Sequence, residues 1–275
     1  MRLRFSLLLV FLSGLWRPCL AQDARPASEQ GEAAPNPAPD DPPASVFPER
    51  AVTWGKLVPN LAHDQKDIWL FPIFLAGGRH LKPALVVTAI TAGTIAAVDV
   101  PSGKYFQRTQ SFGAFNRVFS GKNTSVVMVA APSVFYGISL LRKNSYYQHT
   151  FLLAGEAVMG SEILTSVMKD VDRRMRPREV PLNGDFSDTW FRNHAGGLIR
   201  GIGGFPSGHT ISAFSLATVF ADRYPNPRWP GWVAYGLASA VGFSRVSLRS
   251  HHPSDVFAGA VLGYAIAHYG VLHAR

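Results

Sequence analysis

Seven long apolar segments take up most of the chain beyond residue 66, and they restrict the possible fold more than any other feature. They are long for strands, lack sustained alternation of apolar and polar residues, and are rich in Ala, Leu, Gly and Ser. These properties predict an all-α fold, a bundle of about six to seven helices with strand content near zero. The segments cover residues 67–78, 81–98, 124–141, 147–169, 208–221, 230–247 and 254–270.

Composition alone does not decide whether these helices face lipid or only each other. Of the 275 residues, 47% are hydrophobic and 16% are charged, which lies between a soluble enzyme and a multi-span membrane protein. Two charge-free stretches, 123–141 and 256–274, each contain 19 residues, about the minimum for a span. Glu156 and Glu162 would be costly against lipid, so we expect them to face partners in the core. We therefore favour a compact bundle on the outer side of a membrane over an integral one.

The first 49 residues differ in composition from the rest of the chain. The basic sequence MRLR precedes an apolar run from Phe5 to Trp16 and small residues near Ala21, which is typical of an export signal. An uncleaved anchor is the alternative, although 12 apolar residues are too few to span comfortably. The following stretch is rich in Pro, Ala and acidic residues with few large apolar side chains, which predicts a mobile tether.

The chain is therefore predicted to contain a signal peptide at 1–21, a Pro/Ala-rich tether at 22–49 and a helical domain at 50–275. We expect the domain to reach the cell envelope, on the periplasmic or extracytoplasmic side of a membrane. Cys19 is the only cysteine and lies in the predicted signal, so neither disulfides nor thiol chemistry are expected after cleavage.

The net charge of +9 at pH 7 suggests an anionic partner. The sequence has no Lys/Arg block and no basic-aromatic stripe of the kind that lines a nucleic-acid groove. We therefore expect no nucleic-acid partner. Anionic lipid or a phosphorylated small molecule fits this charge better, and the oligomeric state is left open.

A first cluster of charged residues ends the fourth apolar segment. Lys169 and Arg176 are seven residues apart, so on one helix they would share a face about two turns apart. Pro177 is then expected to stop that helix. Taken alone, the cluster is typical of a solvated, charged helix end.

A second cluster, Gly203 to Thr210, leads directly into the next apolar segment. Glycine lets a backbone approach a ligand closely, and proline suits the first turn of a helix. Unpaired N–H groups at such a helix start form a natural anion site, here with the Ser207 hydroxyl and the His209 imidazole beside it. An ordinary turn that caps a core helix is the alternative.

A third cluster contains Ser244, Arg245, His251 and Asp255. Pro253 predicts a helix start, which places His251 just before the helix and Asp255 in its first turn. A carboxylate in that position can accept the imidazole N–H and leave the other ring nitrogen as a lone-pair donor. A histidine-rich loop next to an acidic helix start is the alternative.

In chain order, the three clusters read Lys-x6-Arg-Pro, Pro-Ser-Gly-His and Ser-Arg-x5-His-x3-Asp. This set resembles the signature of the type 2 phosphatidic acid phosphatase superfamily, which also includes bacterial class A acid phosphatases and vanadium haloperoxidases. The resemblance covers residues 169–255, and the surrounding helices fit the bundle of that family. The N-terminal third resembles nothing that we recognise.

The resemblance implies a phosphate site. Lys169, Arg176 and Arg245 would hold the non-bridging phosphate oxygens. The Ser207 hydroxyl and the Gly208 amide would complete the site. Three fixed cations suit the charge that the equatorial oxygens carry during phosphoryl transfer, so no metal and no other cofactor is expected, and vanadate is expected to inhibit.

The resemblance also implies three catalytic residues. His251 would attack phosphorus to form a phosphohistidine, and Asp255 would orient it. His209 would protonate the leaving oxygen and later activate water. His252 is a rival nucleophile but lacks the four-residue helical spacing to Asp255, and His194 is interpreted as a surface-loop histidine although it could face the substrate. No role is predicted for Asp185, Asp188 and Arg192.

These features together predict a metal-independent hydrolase of phosphomonoesters or pyrophosphates, with phosphorylated lipids or polyprenyl pyrophosphates favoured by the apolar helices. A vanadium haloperoxidase using the same oxyanion pocket is one alternative, although Thr210 and the short chain look more like the phosphatases. A non-catalytic membrane or lipid-binding bundle is another, but such a module would not need both His209 and His251.

Overall fold

The computed structural model describes residue 50, residues 52–193 and residues 201–273. The predicted signal peptide at 1–21 and the predicted tether at 22–49 lie outside the described residues, as does His194. These parts of the sequence interpretation therefore stay predictions.

The described residues are mostly α-helical, with a long loop after residue 172 that contains a 3₁₀ turn at Pro177–Glu179, and no strand occurs among them, which confirms the all-α prediction. The α-helices are α1 Leu57–Ala76, α2 Leu81–Thr94, α3 Val100–Arg108, α4 Gly113–Val118, α5 Gly121–Leu141, α6 Ser145–Asp172, α7 Gly208–Arg223, α8 Trp229–Ser247 and α9 Pro253–Ala265. A π-helical turn, Ile95–Asp99, joins α2 directly to α3, and a second, Ile266–Leu272, extends α9. There are more helices than predicted because two short ones, α3 and α4, precede the third long apolar segment.

Helix α7 lies at the centre of the bundle, packed against α6, α8 and α9. Glycines bring α9 unusually close to it. A β-carbon at Gly263 would lie 2.3 Å from the carbonyl oxygen of Ile211, and one at Gly259 would lie 2.9 Å from that of Ser207. Since real side chains do not tolerate such distances, glycine is required for the two backbones to approach this closely.

An arginine at the start of the helical region joins two helices. Arg50 Nη1 donates to Asp64 Oδ1 of α1 at 2.6 Å, and Nη2 lies 3.3 Å from Glu156 Oε1 of α6. Glu156 is completely buried, so it faces the interior as expected. Glu162 remains exposed on α6, although its Oε1 accepts a 2.5 Å hydrogen bond from the Ser212 hydroxyl.

Within the described part of the chain, four stretches are long and apolar enough to cross a membrane: Leu81–Arg108, Gly121–Leu141, Ser145–Glu179 and Pro253–Leu272. Large apolar side chains on two of them are exposed, including Leu85, Val127 and Val129. Contact of this apolar surface with water would be energetically unfavourable, whereas contact with lipid chains would not be. The expectation of a bundle outside the membrane is therefore corrected in favour of a membrane-embedded one. The expectation rested partly on the cost of Glu156 against lipid, but this side chain is completely buried beside Arg50 and does not reach the helix surface.

Candidate active site

The three charged clusters meet where the ends of several helices converge. The Ser207 N–H, at the start of α7, donates to the backbone carbonyl of Asp255 in the first turn of α9 at 3.0 Å. A β-carbon at Gly208 would lie 3.2 Å from Lys169 Nζ, close to the end of α6. The structure thus brings residues predicted from three separate motifs to one place.

Lys169 and Arg176 reach this place differently from the sequence prediction. Helix α6 ends at Asp172, Arg173 adopts a left-handed conformation with φ 45°, and Arg176 is extended with φ −78° and ψ 150°. The two residues therefore do not share a helix face, and that prediction is wrong. The physical reason is that a residue before proline avoids the helical region, so Arg176 stays extended before Pro177.

Arg176 lies along the loop that precedes α7. Its Cγ would be 3.6 Å from a β-carbon at Gly204, and the same position is 3.7 Å from Asp255 Oδ2. The Nε of Arg176 is buried and has no hydrogen-bond partner within the described part of the chain. A buried guanidinium nitrogen without a partner indicates a place for an anionic ligand.

Arg245 approaches from the last turns of α8. Its Nη2 donates to the backbone carbonyl of Phe119 and, at 2.8 Å, to the Ser244 hydroxyl. Its Nη1 would lie 3.2 Å from a β-carbon at Gly121, the first residue of α5. Burial lowers the pKa of Arg245 from its usual value because a desolvated charge is less stable.

Lys169, Arg176 and Arg245 share one property, and together they are called the cation cradle below. Within residues 52–193 and 201–273, none of the three has a carboxylate within ion-pairing distance. Three neighbouring positive charges, none with a carboxylate in ion-pairing distance, repel each other unless an anion binds among them. The cradle therefore has the charge of an oxyanion site.

The start of α7 supplies uncharged donors to the same site. Ser207 is the N-cap residue and is completely buried. Its hydroxyl oxygen accepts from the Thr210 hydroxyl at 2.9 Å, so its own proton is left to donate elsewhere. The Gly208 amide belongs to the first helical turn, where N–H groups lack helical partners.

His251 is held with its Nδ1 turned toward the protein. The ring Nδ1 lies 2.7 Å from the Gly204 carbonyl oxygen and 3.6 Å from Asp255 Oδ2. The sequence predicted that the carboxylate would accept the imidazole proton directly, but the carbonyl is the nearer acceptor. A carbonyl can only accept, so Nδ1 carries the proton and Nε2 keeps its lone pair.

The protonation state of His251 supports the same arrangement. Burial lowers the pKa of His251, and the neighbouring Asp255 opposes that shift only in part. A histidine with a lowered pKa is neutral at pH 7, which is the state in which Nε2 is nucleophilic.

His209, in the first turn of α7, faces the beginning of α5. Its Nε2 lies 3.2 Å from the Gly121 carbonyl oxygen and 3.0 Å from the Ser125 hydroxyl. Burial, helped by the charge of Arg245, lowers the pKa of His209 to about 4. The imidazole is therefore neutral until a negative charge arrives beside it. Ser125 was not foreseen, because it lies in an apolar segment far from the three motifs.

Comparison with known proteins supports the motif interpretation. Residues 150–273 match the family model of the PAP2 superfamily. The match confirms the resemblance expected from the three motifs, and residues 150–273 are called the PAP2 region below.

Two curated relatives and one solved structure are similar to the chain. Lipid A 1-phosphatase of Rhizobium etli is 35% identical over 108 residues, which cover 38% of this chain and 42% of that protein. Lipid A 4'-phosphatase of Porphyromonas gingivalis is 25% identical over 158 residues, covering 56% and 63%. The chain thus spans less than two thirds of either relative. A transmembrane PAP2-type phosphatidylglycerolphosphate phosphatase from Bacillus subtilis aligns with 20% identity and a TM-score of 0.38, covering 76% of this chain and 94% of that one.

Two charged residues of the site were missed by sequence reasoning. Arg174, in the loop after α6, donates from Nη1 to Asp255 Oδ1 and from Nη2 to Asp99 Oδ2, the latter at 2.6 Å. Arg174 and Asp99 are each 1% exposed. Arg174 had been interpreted as part of a solvated helix end. Asp99 lies outside the PAP2 region, and its place at the end of an apolar segment was the only available signal.

The rival nucleophile and the unassigned loop residues lie apart from the cradle contacts. His252 is completely buried, and its backbone N–H donates to Asp255 Oδ2 at 2.7 Å. Of the two adjacent histidines, only His251 has a ring nitrogen within 4 Å of that carboxylate among the described residues. The loop residues are exposed and pair locally: Asp185 accepts from Ser187, and Asp188 accepts from Arg192.

Proposed function

We propose that the protein is a metal-independent phosphatase that hydrolyses phosphomonoesters or pyrophosphates of lipid or polyprenyl substrates through a phosphohistidine. The observation that carries this proposal is the cation cradle, three cations with no carboxylate in ion-pairing distance among the described residues, beside a buried neutral His251 whose Nε2 keeps its lone pair. The names of the relatives, lipid A 1- and 4'-phosphatases, agree with a phosphorylated lipid as substrate.

In the first step, Nε2 of His251 attacks phosphorus and the bond from phosphorus to the leaving oxygen breaks. The cradle and the donors at the start of α7 stabilise the charge on the equatorial oxygens. The arriving phosphate raises the pKa of His209 from about 4, so the imidazole takes up a proton and gives it to the leaving oxygen.

In the second step, the now neutral His209 accepts a proton from water while the water oxygen attacks the phosphohistidine. The bond from phosphorus to Nε2 breaks, inorganic phosphate leaves, and His251 regains its lone pair. When phosphate leaves, the pKa of His209 returns to about 4, so the imidazole releases the proton it took from water to the solvent and the protein is back in its starting state.

The apolar surfaces of the bundle support a lipid substrate. The site lies at helix ends, whereas the exposed apolar side chains lie along α2 and α5. A lipid could therefore keep its acyl or prenyl chain in the bilayer and present its phosphate to the cradle. The predicted export signal would place the site on the extracytoplasmic side of the membrane.

The test is an assay of the detergent-purified protein against lipid phosphates, polyprenyl pyrophosphates and soluble phosphomonoesters, with and without EDTA. We expect phosphate release from at least one lipid substrate at an unchanged rate in EDTA. Quenching with labelled substrate should trap acid-labile, base-stable phosphate on the wild type and none on His251→Gln, the matched control. Peroxide-dependent bromide oxidation by the vanadate-loaded protein, faster than any phosphate release, would point to a haloperoxidase. Lipid binding without turnover would point to a binding module.

A further inference from the structure

Arg174 contacts both groups that hold His251 in place. Its side chain donates to Asp255, and its backbone carbonyl accepts the Gly204 N–H at 2.8 Å. Gly204 in turn accepts the Nδ1 proton of His251 at 2.7 Å. One residue therefore supports the carboxylate beside the imidazole and the peptide that receives its proton.

Asp99 anchors the guanidinium from a distant part of the chain. Its Oδ2 accepts from Arg174, and its Oδ1 accepts the Ser254 N–H in the first turn of α9 at 3.0 Å. The Ser254 hydroxyl also accepts from Arg174 Nη1 at 2.8 Å. The Trp190 ring covers the guanidinium, with 4.4 Å between Cζ and the ring centroid. Arg174 is thus fixed on several sides, which gives it a single geometry.

The charges in this network matter for the imidazole. Asp99 and Asp255 are two buried carboxylates, and the Arg174 guanidinium bridges them. If the guanidinium were absent, the full negative charge of Asp255 would act on His251 and favour its protonated form, which has no lone pair on Nε2. If Asp99 were neutral, Arg174 would neutralise Asp255 more completely.

We propose that Arg174, anchored by Asp99, is a positioning residue that sets the orientation and the protonation of the His251 nucleophile through Asp255 and Gly204. This inference rests on the proposed phosphatase function. The charged and titratable groups that face His251 are Asp255, Lys169 and His209, with His252 adjacent in the chain. Arg174 and Asp99 act on His251 through Asp255.

The main test compares Arg174→Gln, Arg174→Lys and Asp99→Asn with wild type by measuring kcat and KM across pH. Arg173→Gln is the matched control, because Arg173 is the adjacent arginine and its Nε donates to the Asp170 carbonyl at 3.2 Å rather than to a group of the site. We expect Arg174→Gln to lower kcat by about 10²-fold with KM changed by less than about 3-fold, the usual effect of misplacing a reacting group. Arg174→Lys should recover part of the loss, and Arg173→Gln should change neither value.

The acid limb of kcat/KM is the readout that a merely structural role would not move. It should shift to higher pH in Arg174→Gln, because removing a positive charge raises the pKa of His251. It should shift to lower pH in Asp99→Asn, because removing a negative charge has the opposite effect. Asp99→Asn keeps an oxygen acceptor for the arginine, so it carries the test if Arg174→Gln does not accumulate. Unchanged limbs in the folded variants would overturn the inference.

A measurement without turnover separates this inference from the proposed function. In the wild type, the His251 Nδ1 proton should give a protected NMR resonance, since it is buried against the Gly204 carbonyl. The resonance should be lost or exchange rapidly in folded Arg174→Gln or, if that variant does not accumulate, in Arg174→Lys, and it should remain in Arg173→Gln. Persistence of the resonance would refute the positioning role even if the wild type hydrolyses lipid phosphates. If the resonance is lost in the Arg174 variant and the wild type is inactive, only the proposed function is refuted.

Discussion

Arg174 and Arg176 stand two residues apart in one loop, yet their surroundings are opposite. Arg174 is buried between Asp99 and Asp255, so its charge is fully compensated. Arg176 belongs to the cation cradle and has a buried Nε without a partner among the described residues. A buried arginine whose charge is balanced by carboxylates stabilises the protein itself, whereas one without a partner is available to a ligand. Residue type alone could not separate the two.

The largest expected effect is at His251, which lies between the network and the cradle. We expect His251→Ala to abolish turnover and to keep the thermal midpoint close to wild type, since the attacking atom is lost without stranding a charge. Turnover and thermal unfolding in detergent would be measured together. His252→Ala is the matched variant, and activity in His251→Ala with none in a folded His252→Ala would reassign the nucleophile.

A smaller effect is expected at the proton donor. His209→Ala should lose about 10²- to 10⁴-fold in kcat, the usual contribution of a general acid. A substrate with a very good leaving group needs less protonation, so it should recover part of the loss in this variant. Equal losses for good and poor leaving groups would argue against the acid role.

The cradle and the network should respond differently to loss of an arginine. Arg176→Ala should lower kcat/KM by about 10²- to 10³-fold, as removal of an oxyanion donor does, with little loss of stability. Arg174→Ala strands two buried carboxylates and should lower the free energy of unfolding by about 3–5 kcal/mol. Thermal unfolding of both variants measures the difference. Equal destabilisation by the two substitutions would contradict the assignment of Arg176 to ligand binding and of Arg174 to the buried network.

The cradle should also bind a phosphate analogue. We expect vanadate to inhibit at micromolar to millimolar concentration and to raise the thermal midpoint, because a ligand of the folded state stabilises it. Arg176→Ala should weaken that shift. An enzyme that gained activity only with added Mg²⁺ or Zn²⁺ after EDTA treatment would contradict the mechanism.

The smallest effect concerns stability in acid. The pKa of His209 is about 4 in the folded protein, below the value of about 6.5 expected on unfolding. Its stabilising contribution is therefore complete above pH 6.5 and is lost as the pH falls toward 4. The thermal midpoint of the free protein should fall over that window, and less steeply in His209→Gln. Because bound vanadate favours the protonated imidazole, it should also flatten the decline.

The motifs predicted which residues meet, but not how the backbone brings them together. Lys169, His209 and His251 converge as expected because each motif sits at a helix end, which is readable from glycine, proline and apolar spacing. The helix through Arg176 was predicted wrongly, since a spacing of seven fits a helix but the residue before Pro177 does not.

Other features were beyond sequence reasoning because they depend on contacts between distant segments. Asp99 and Arg174 are 75 residues apart, and nothing in either local pattern points to the other. Ser125 meets His209 across 84 residues. The membrane assignment failed for the same reason, since Arg50, the partner that lets Glu156 be buried, lies in a distant segment.

The glycine contacts between α7 and α9 also determine how precisely the catalytic residues are positioned. Gly263 lies eight residues beyond Asp255 on α9, and a β-carbon at this position would lie 2.3 Å from the Ile211 carbonyl oxygen. A single added methyl group there would push the two helices apart, and the first turn of α9 would move with its axis. The packing of α7 against α9 in the apolar interior therefore controls the position of the catalytic residues at the helix ends. Damage to the chemistry can originate at a position that touches neither substrate nor solvent.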